Sequence, residues 1–216
     1  MHTLEASGIR LQFGGRVILS DIYLAAATGR ITGLLGRNGE GKSCLMKVIY
    51  GTLHCEKSIQ IDKQSYDRTY SRPGLMQYLP QFNFIPASLS LKRIFKDFEL
   101  DYDLFQSRFP EFAAKHTAVA GSLSGGELRL VELYITVKRS SKFALLDEPF
   151  THLNPVQTEK VKTFLTEEKA NKGMLITDHL YRHVTGICDS LYILSAGKTH
   201  PAKSIADIQR LGYARL

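Results

Sequence analysis

The sequence predicts an α/β fold built on a parallel sheet covered on both faces, and three observations carry that expectation. A short apolar run, Ile31 to Leu35, leads through a glycine-rich loop into a segment of helical periodicity, as where a strand turns into a helix. A second apolar run, Phe143 to Leu146, ends in two adjacent acids, Asp147 and Glu148. From Leu123 onward short strands and helical segments alternate, with Met174 to Thr177 as a further buried strand. Alternation of this kind is what crossover helices between parallel strands produce.

Taken in order, residues 3–24 carry alternating or apolar runs, Gly8 to Phe13 and Arg16 to Leu24, split by Gly14-Gly15. They predict a β-hairpin-like opening. Strand 31–35 is followed by Gly36-Arg37-Asn38-Gly39-Glu40-Gly41-Lys42-Ser43. The three glycines let the backbone curl so that amide hydrogens converge on one concavity, to which the next helix adds the partial positive charge of its N-terminus. That describes a phosphate-binding loop. Lys42 would reach the terminal phosphates as a point charge, and the Ser43 hydroxyl would give one ligand to a magnesium ion. The helix should run from about Lys42 to Tyr50, with Gly51 as its stop. Ser58 to Asp62 and Leu75 to Leu79 are expected strands, separated by a polar loop with Tyr66, Tyr70 and Pro73. In residues 83–121, Leu91, Ile94, Phe95 and Phe98, then Leu104, Phe105 and Phe109, follow a helical period. They predict a small helical subdomain inserted into an α/β core made of 1–82 and 122–216, the whole chain forming one domain. The last stretch, Ser204 to Leu216, has helical character and no assignable chemistry.

Two further constellations carry chemistry. An apolar strand ending in Asp147 and Glu148 puts carboxylates at the carboxyl edge of a parallel sheet, where open α/β sheets bind ligands. Asp147 suits a magnesium shell, and Glu148, pointing to the other side of an extended chain, suits a water that attacks the γ-phosphate. Upstream, Leu123-Ser124-Gly125-Gly126-Glu127 opens a helix running to about Lys138, with Ser124 and Glu127 as a capping box. A cap does not require paired glycines, which make more sense where a phosphate must come close.

Composition excludes several classes. At 216 residues, with 44% hydrophobic residues, the chain can bury a real core. No apolar run approaches the roughly 20 residues that cross a bilayer, and the first residues do not read as a secretion signal, so a cytoplasmic protein is expected. Cys44, Cys55 and Cys188 lack metal-ligand spacing and are read as reduced structural thiols. The formal charge of +7 is spread along the chain without a basic block, so nucleic acid is not the expected partner.

These motifs, in this order, resemble those of the ATP-binding cassette (ABC) ATPases, and the resemblance covers essentially the whole chain. It implies a P-loop fold with a RecA-like parallel core, an N-terminal antiparallel β subdomain and an inserted helical subdomain, with ATP and Mg2+ as ligands. Gly36, Arg37, Asn38, Gly39, Glu40, Gly41, Lys42, Ser43 and Cys44 match the Walker A segment that contacts nucleotide. Phe143 to Glu148 matches Walker B with the catalytic glutamate. Gln81, in Tyr78-Leu79-Pro80-Gln81, matches the Q-loop, which with Ser43 and Asp147 serves the magnesium site. His179, in Ile176-Thr177-Asp178-His179, matches the switch histidine at the γ-phosphate, and Phe13 the aromatic that stacks on adenine. Leu123 to Glu127 matches the signature motif. In this family two domains close head to tail, so Ser124, Gly125 and Gly126 of one cover ATP held by Lys42 and Ser43 of the other.

The family pattern is not followed everywhere. Glu127 stands where glutamine is usual, and Cys44 where threonine is common. Asn154 replaces the D-loop aspartate, which removes a charge from the dimer interface while keeping a good N-cap before Pro155. The resemblance implies the separately encoded ATPase subunit of an ABC transporter, paired with itself or a related cassette and held on the inner face of the membrane by permease subunits. Phe82 and Phe84 are candidate anchors for that partner, with subdomain core as their other reading. Ile176 to His179 looks like the ATPases of lipopolysaccharide exporters and branched-chain amino acid importers. The alternative is a soluble ABC ATPase acting on ribosomes or nucleic acid.

Overall fold

A computed structural model describes residues 1–179, 181–202 and 207. The chain opens with β1 (Thr3–Phe13), β2 (Arg16–Leu19) and β3 (Tyr23–Ala27), and β1 pairs antiparallel with both of the others. Gly14 and Gly15 turn the first hairpin at positive φ, as their position between two alternating runs predicts. The run expected from Arg16 to Leu24 is interrupted, because Asp21 leaves the ladder to bridge Lys198. β4 (Ile31–Leu35) leads through the glycine loop into α1 (Lys42–Tyr50), and Gly51 closes that helix in the left-handed region at φ 91°.

β5 (Glu56–Ile61) returns to the antiparallel sheet beside β1 and carries the short β6 (Gln64–Ser65) on its outer edge. The expected polar loop therefore contains β6 and a single 3-10 turn at Thr69–Ser71. β7 (Met76–Leu79) joins the second sheet. Next come α2 (Leu91–Asp97), α3 (Tyr102–Arg108), α4 (Gly125–Lys138), β8 (Phe143–Asp147), α5 (Pro155–Glu168), β9 (Gly173–Thr177), α6 (Tyr181–Thr185), β10 (Ser190–Ser195) and β11 (Lys198–Ala202). The helical character expected of Ser204 to Leu216 lies outside the described residues, Asp207 apart.

The larger sheet runs β11-β10-β4-β9-β8-β7 and is parallel except for the β10–β11 edge pair. Every residue of β4, β8 and β9 is buried. Their side chains alternate between two cores, so the expectation of a sheet covered on both faces holds. Leu34, Leu145 and Leu175 face α1 and the antiparallel sheet, whereas Leu35, Leu146 and Ile176 face α4, α5 and the segment between β7 and α4. That segment packs through aromatics. Phe105 lies 4.9 Å from both Phe95 and Tyr134, and Tyr134 stacks on Phe164 of α5 at 5.5 Å. The three cysteines are free thiols, and burial pushes each of them up.

The amino edge of the sheet holds a buried cation. Lys172 precedes β9, and its Nζ donates to the Arg139 carbonyl at 2.7 Å and to Ser141 Oγ at 3.2 Å, closing the end of α4. Burial brings its pKa down to about 8 from 10.5. Between those values the unfolded chain holds a proton that the folded chain has released, so this group makes stability rise with pH. In urea titrations, Lys172→Met should lose that rise. Its unfolding free energy relative to the parent should be flat below about pH 8 and should fall as pH climbs toward 10.5.

Candidate nucleotide site

The carboxyl ends of β4, β7, β8 and β9 deliver the sequence-predicted residues to one edge of the sheet. Beyond β4, Gly39 and Gly41 take positive φ, and Gly41 at φ 100° is the residue on which the loop becomes α1. A side chain at Gly41 would also meet Ile18 Cγ2 at 2.9 Å. Lys42 is buried, and its Nζ donates to the carbonyls of Gly36 at 2.7 Å and Arg37 at 3.2 Å. Burial pushes its pKa down, while the carboxylates of Glu148, Asp147, Asp178 and Glu40 pull it back up. Glu40 turns away from the ammonium and accepts the amide of Ala196, between β10 and β11, at 2.8 Å.

A cleft of about 300 Å³ opens over the loop, lined by Phe13, Ile18, Asn38, Gly39, Gly41, Lys42, Ser43, Cys44, Gln81 and Glu148. Phe13 stands at the end of β1 with half its surface exposed. Glu40 lies on the other side of the loop, in a neighbouring hollow with Arg16. Gly36 lies beneath the loop, where a Cβ would meet the Leu194 carbonyl at 2.8 Å, and Arg37 is exposed.

The two acids are separated by a turn, which corrects the expectation of strand alternation. Asp147 ends β8 fully buried, its Oδ1 taking the Thr177 hydroxyl at 2.7 Å and its Oδ2 the Tyr78 hydroxyl at 3.1 Å. Burial, together with the Asp147 charge, pushes the Tyr78 phenol up, so it stays a donor. Glu148 leaves the extended conformation at φ 50°, and its amide donates to the Thr177 carbonyl at 3.0 Å. Its Oε2 accepts Gln81 Nε2 at 3.0 Å and lies 3.7 Å from His179 Nδ1. Oxygen donors at Ser43, Gln81 and Asp147 suit a hard cation that keeps several waters, and carboxylates next to a polyphosphate need such a charge between them. Among the described residues no cage of three or more His, Cys, Asp or Glu forms.

Ser124, Gly125 and Gly126 are not part of this cleft. Ser124 caps α4 in a reciprocal box with Glu127, whose carboxylate also pairs with Lys115. A Cβ on Gly126 would meet the His152 carbonyl at 2.7 Å, so packing alone requires that glycine, whereas Gly125 has nothing closer than 3.7 Å. Asn154 caps α5 as expected, in a second box with Gln157. Phe82 and Phe84 are both exposed. Sequence reasoning assigned no role to Tyr78 or Thr177 beyond the motifs they stand in, and missed Arg129 and Glu132. Arg129 donates to the carbonyls of Pro80, Asp147 and Glu148 from the middle of α4. Their sequence spacing does not mark them; the burial of α4 on all sides from Arg129 to Val137 does.

The sequence pattern of the ABC transporter family matches residues 19–151, more than half of the chain. This chain belongs to the ABC transporter family. The lipopolysaccharide export system ATP-binding protein LptB of Acidithiobacillus ferridurans is 32% identical, covering 95% of this chain and 91% of its own. LptB of Escherichia coli (strain K12) is also 32% identical, over 91% of this chain and 88% of its own. A probable ABC transporter ATP-binding protein of Azorhizobium caulinodans is 32% identical over 90% and 75%. Among solved structures, an ATP-binding subunit of an ABC transporter superposes with a TM-score of 0.80 at 22% identity, over 96% of this chain and 92% of that one. A bacterial Atm1-family ABC exporter with ATP bound gives 0.85 at 16%, over 98% and 40%. The fold is thus the P-loop ABC ATPase fold, and the likeness to lipopolysaccharide-exporter ATPases is borne out. The family makes this chain an ABC-type, nucleotide-binding ATPase. The reading as the ATP-binding subunit of a transporter is the supported one, and action on ribosomes or nucleic acid is not favoured.

The contrast between the two glycines is open to test. Gly126→Ala should lower stability by roughly 1–3 kcal/mol, because a backbone carbonyl stands where the methyl must go. Gly125→Ala should leave stability unchanged or raise it by about 0.5–1 kcal/mol. Chemical denaturation of the two variants measures both.

Proposed function

We propose that this chain binds ATP with Mg2+ in the cleft over the glycine loop, hydrolyses it to ADP and phosphate, and so drives a separate membrane permease. The observation that carries the reading is that Lys42, Ser43, Gln81 and Glu148, from three different segments, line one cleft. Loop amides and Lys42 bind the phosphates, and Phe13 offers a ring to the base. Ser43, Gln81 and Asp147 would hold a magnesium ion, which would supply positive charge to offset that of the phosphates. Glu148 accepts a proton from the attacking water, and His179 beside it orients that water toward the γ-phosphate. The acceleration is mainly positioning and electrostatics, since phosphoryl transfer asks little covalent chemistry of the protein.

Gly125 and Gly126 lie beside His152 rather than over the loop, which fits a site completed by a second cassette. The second copy is this chain or a homologue, and closure is favoured by the γ-phosphate charge that both faces bind. Residues 83–121 act as the helical subdomain inserted into the core formed by 1–82 and 122–216. None of the described helices is long and apolar enough to cross a membrane. A permease partner would hold the chain on the cytoplasmic face, with exposed Phe82 and Phe84 as its contacts.

Glu148→Gln should keep ATP affinity and reduce turnover by at least about a hundredfold. It should also elute as a dimer on gel filtration with ATP. A variant that still turns over, or stays monomeric at saturating ATP, refutes the assignment. Affinity purification from detergent-solubilised membranes should recover an integral membrane protein in stoichiometric amount, and recovery of ribosomes instead would reverse the choice of partner.

A further inference from the structure

Helix α4 carries two ionic side chains where the fold leaves no water: Arg129 is 1% exposed and Glu132 0%. Neither lines the cleft. Arg129 Nη1 donates to the Pro80 carbonyl at 2.7 Å, and Nη2 to the carbonyls of Asp147 at 2.7 Å and Glu148 at 2.9 Å. Glu132 Oε1 accepts the amides of Phe84 at 2.7 Å and Ile85 at 3.1 Å. The two side chains face each other at 3.7 Å. The pair therefore grips the segment 80–85 at both ends, and the same guanidinium grips the turn that aims Glu148.

Ion-pair attraction gives little reason for such a pair, since in a core it is commonly offset by the loss of hydration. The geometry gives a better one. Glu148 sits in a left-handed conformation that is unfavourable for a non-glycine residue, so its surroundings must hold it there. One restraint is Thr177 at its amide, and another is Arg129 at its carbonyl. Its carboxylate is held by Gln81, the neighbour of Pro80. Segment 80–85 and Glu148 are thus joined twice, directly through Gln81 and indirectly through Arg129.

We propose that Arg129 and Glu132 are positioning residues that make the aim of the Glu148 carboxylate depend on where the Gln81 segment sits. The proposal rests on the reading of Glu148 as the group that activates water. Phe82, 76% exposed, projects from the middle of the gripped segment. Displacing that segment moves Pro80 and Phe84 together, and the guanidinium passes the displacement to the carbonyls at 147 and 148. Because Ser124 caps α4, the same helix sets the signature turn at its amino end.

The test uses the purified chain with Glu132→Gln, which keeps an acceptor for the two amides but removes the charge, and Arg129→Lys, which keeps a cation but not the planar fork. ATP affinity is read by calorimetry, kcat and KM by phosphate release. Both variants should keep affinity and KM while kcat falls about tenfold to a hundredfold, the scale of a small misplacement at a reacting group. Combined with Gln81→Ala, the losses should be less than multiplicative, since both act on one carboxylate. Parental kcat in a folded variant, affinity lost in step with kcat, or multiplicative losses would each overturn the proposal. Should Arg129→Lys fail to fold, Glu132→Gln carries the same comparison. Glu148→Gln runs alongside: turnover in that variant removes the reading beneath the proposal, whereas a silent Glu148→Gln with parental Glu132→Gln removes the clasp alone.

Discussion

The Lys42 ammonium among the carboxylates of Glu148, Asp147 and Asp178 is the charge balance on which this edge of the sheet depends. Burial pushes the lysine toward its neutral form, and the neighbouring carboxylates pull it back toward the ammonium. Only strands that run parallel and are buried on both faces deliver such groups from neighbouring chain segments to one place. The two hydroxyls on Asp147 fix its oxygens, so the carboxylate is oriented as well as charged.

Around that balance the chain assigns different jobs to adjacent residues by changing backbone conformation. Asp147 completes a strand and stays beneath the cleft, while Glu148 turns left-handed and enters it. Side-chain alternation along a strand would have separated them onto opposite faces. The turn instead lets the carboxylate of Glu148 reach Gln81 at the end of β7 and His179 beyond β9, so three strand ends meet at one oxygen.

What was legible in the sequence follows from how narrowly chemistry restricts residue choice. A curled anion-binding loop needs its glycines and its lysine, and a buried strand that must stop at a charged edge needs its acids, so residues 31–50 and 143–148 could be placed from composition and order. β10 and β11 could not, because Ser190–Ser195 and Lys198–Ala202 are short, only partly buried and shaped by pairing with each other and with β4. The Asp147–Glu148 turn was hidden because a left-handed residue is normally announced by glycine or asparagine, and here tertiary bonds impose it on a glutamate. Arg129 and Glu132 stand three residues apart, a spacing that in sequence does not differ from that of an exposed ion pair; only the burial of α4 on all sides sets them apart. Gly126 was assigned to ligand approach, and the His152 carbonyl shows a packing reason that sequence cannot carry.

The bond from the Glu40 carboxylate to the Ala196 amide ties the glycine loop to the β10–β11 turn, whose Gly197 carbonyl is in turn bonded by Ser20. A glycine-rich loop would otherwise forfeit much freedom when it closes on an anion. Moored at its midpoint to a second ribbon of the chain, it meets its ligand already shaped, and less of the attraction is consumed in stiffening the receptor.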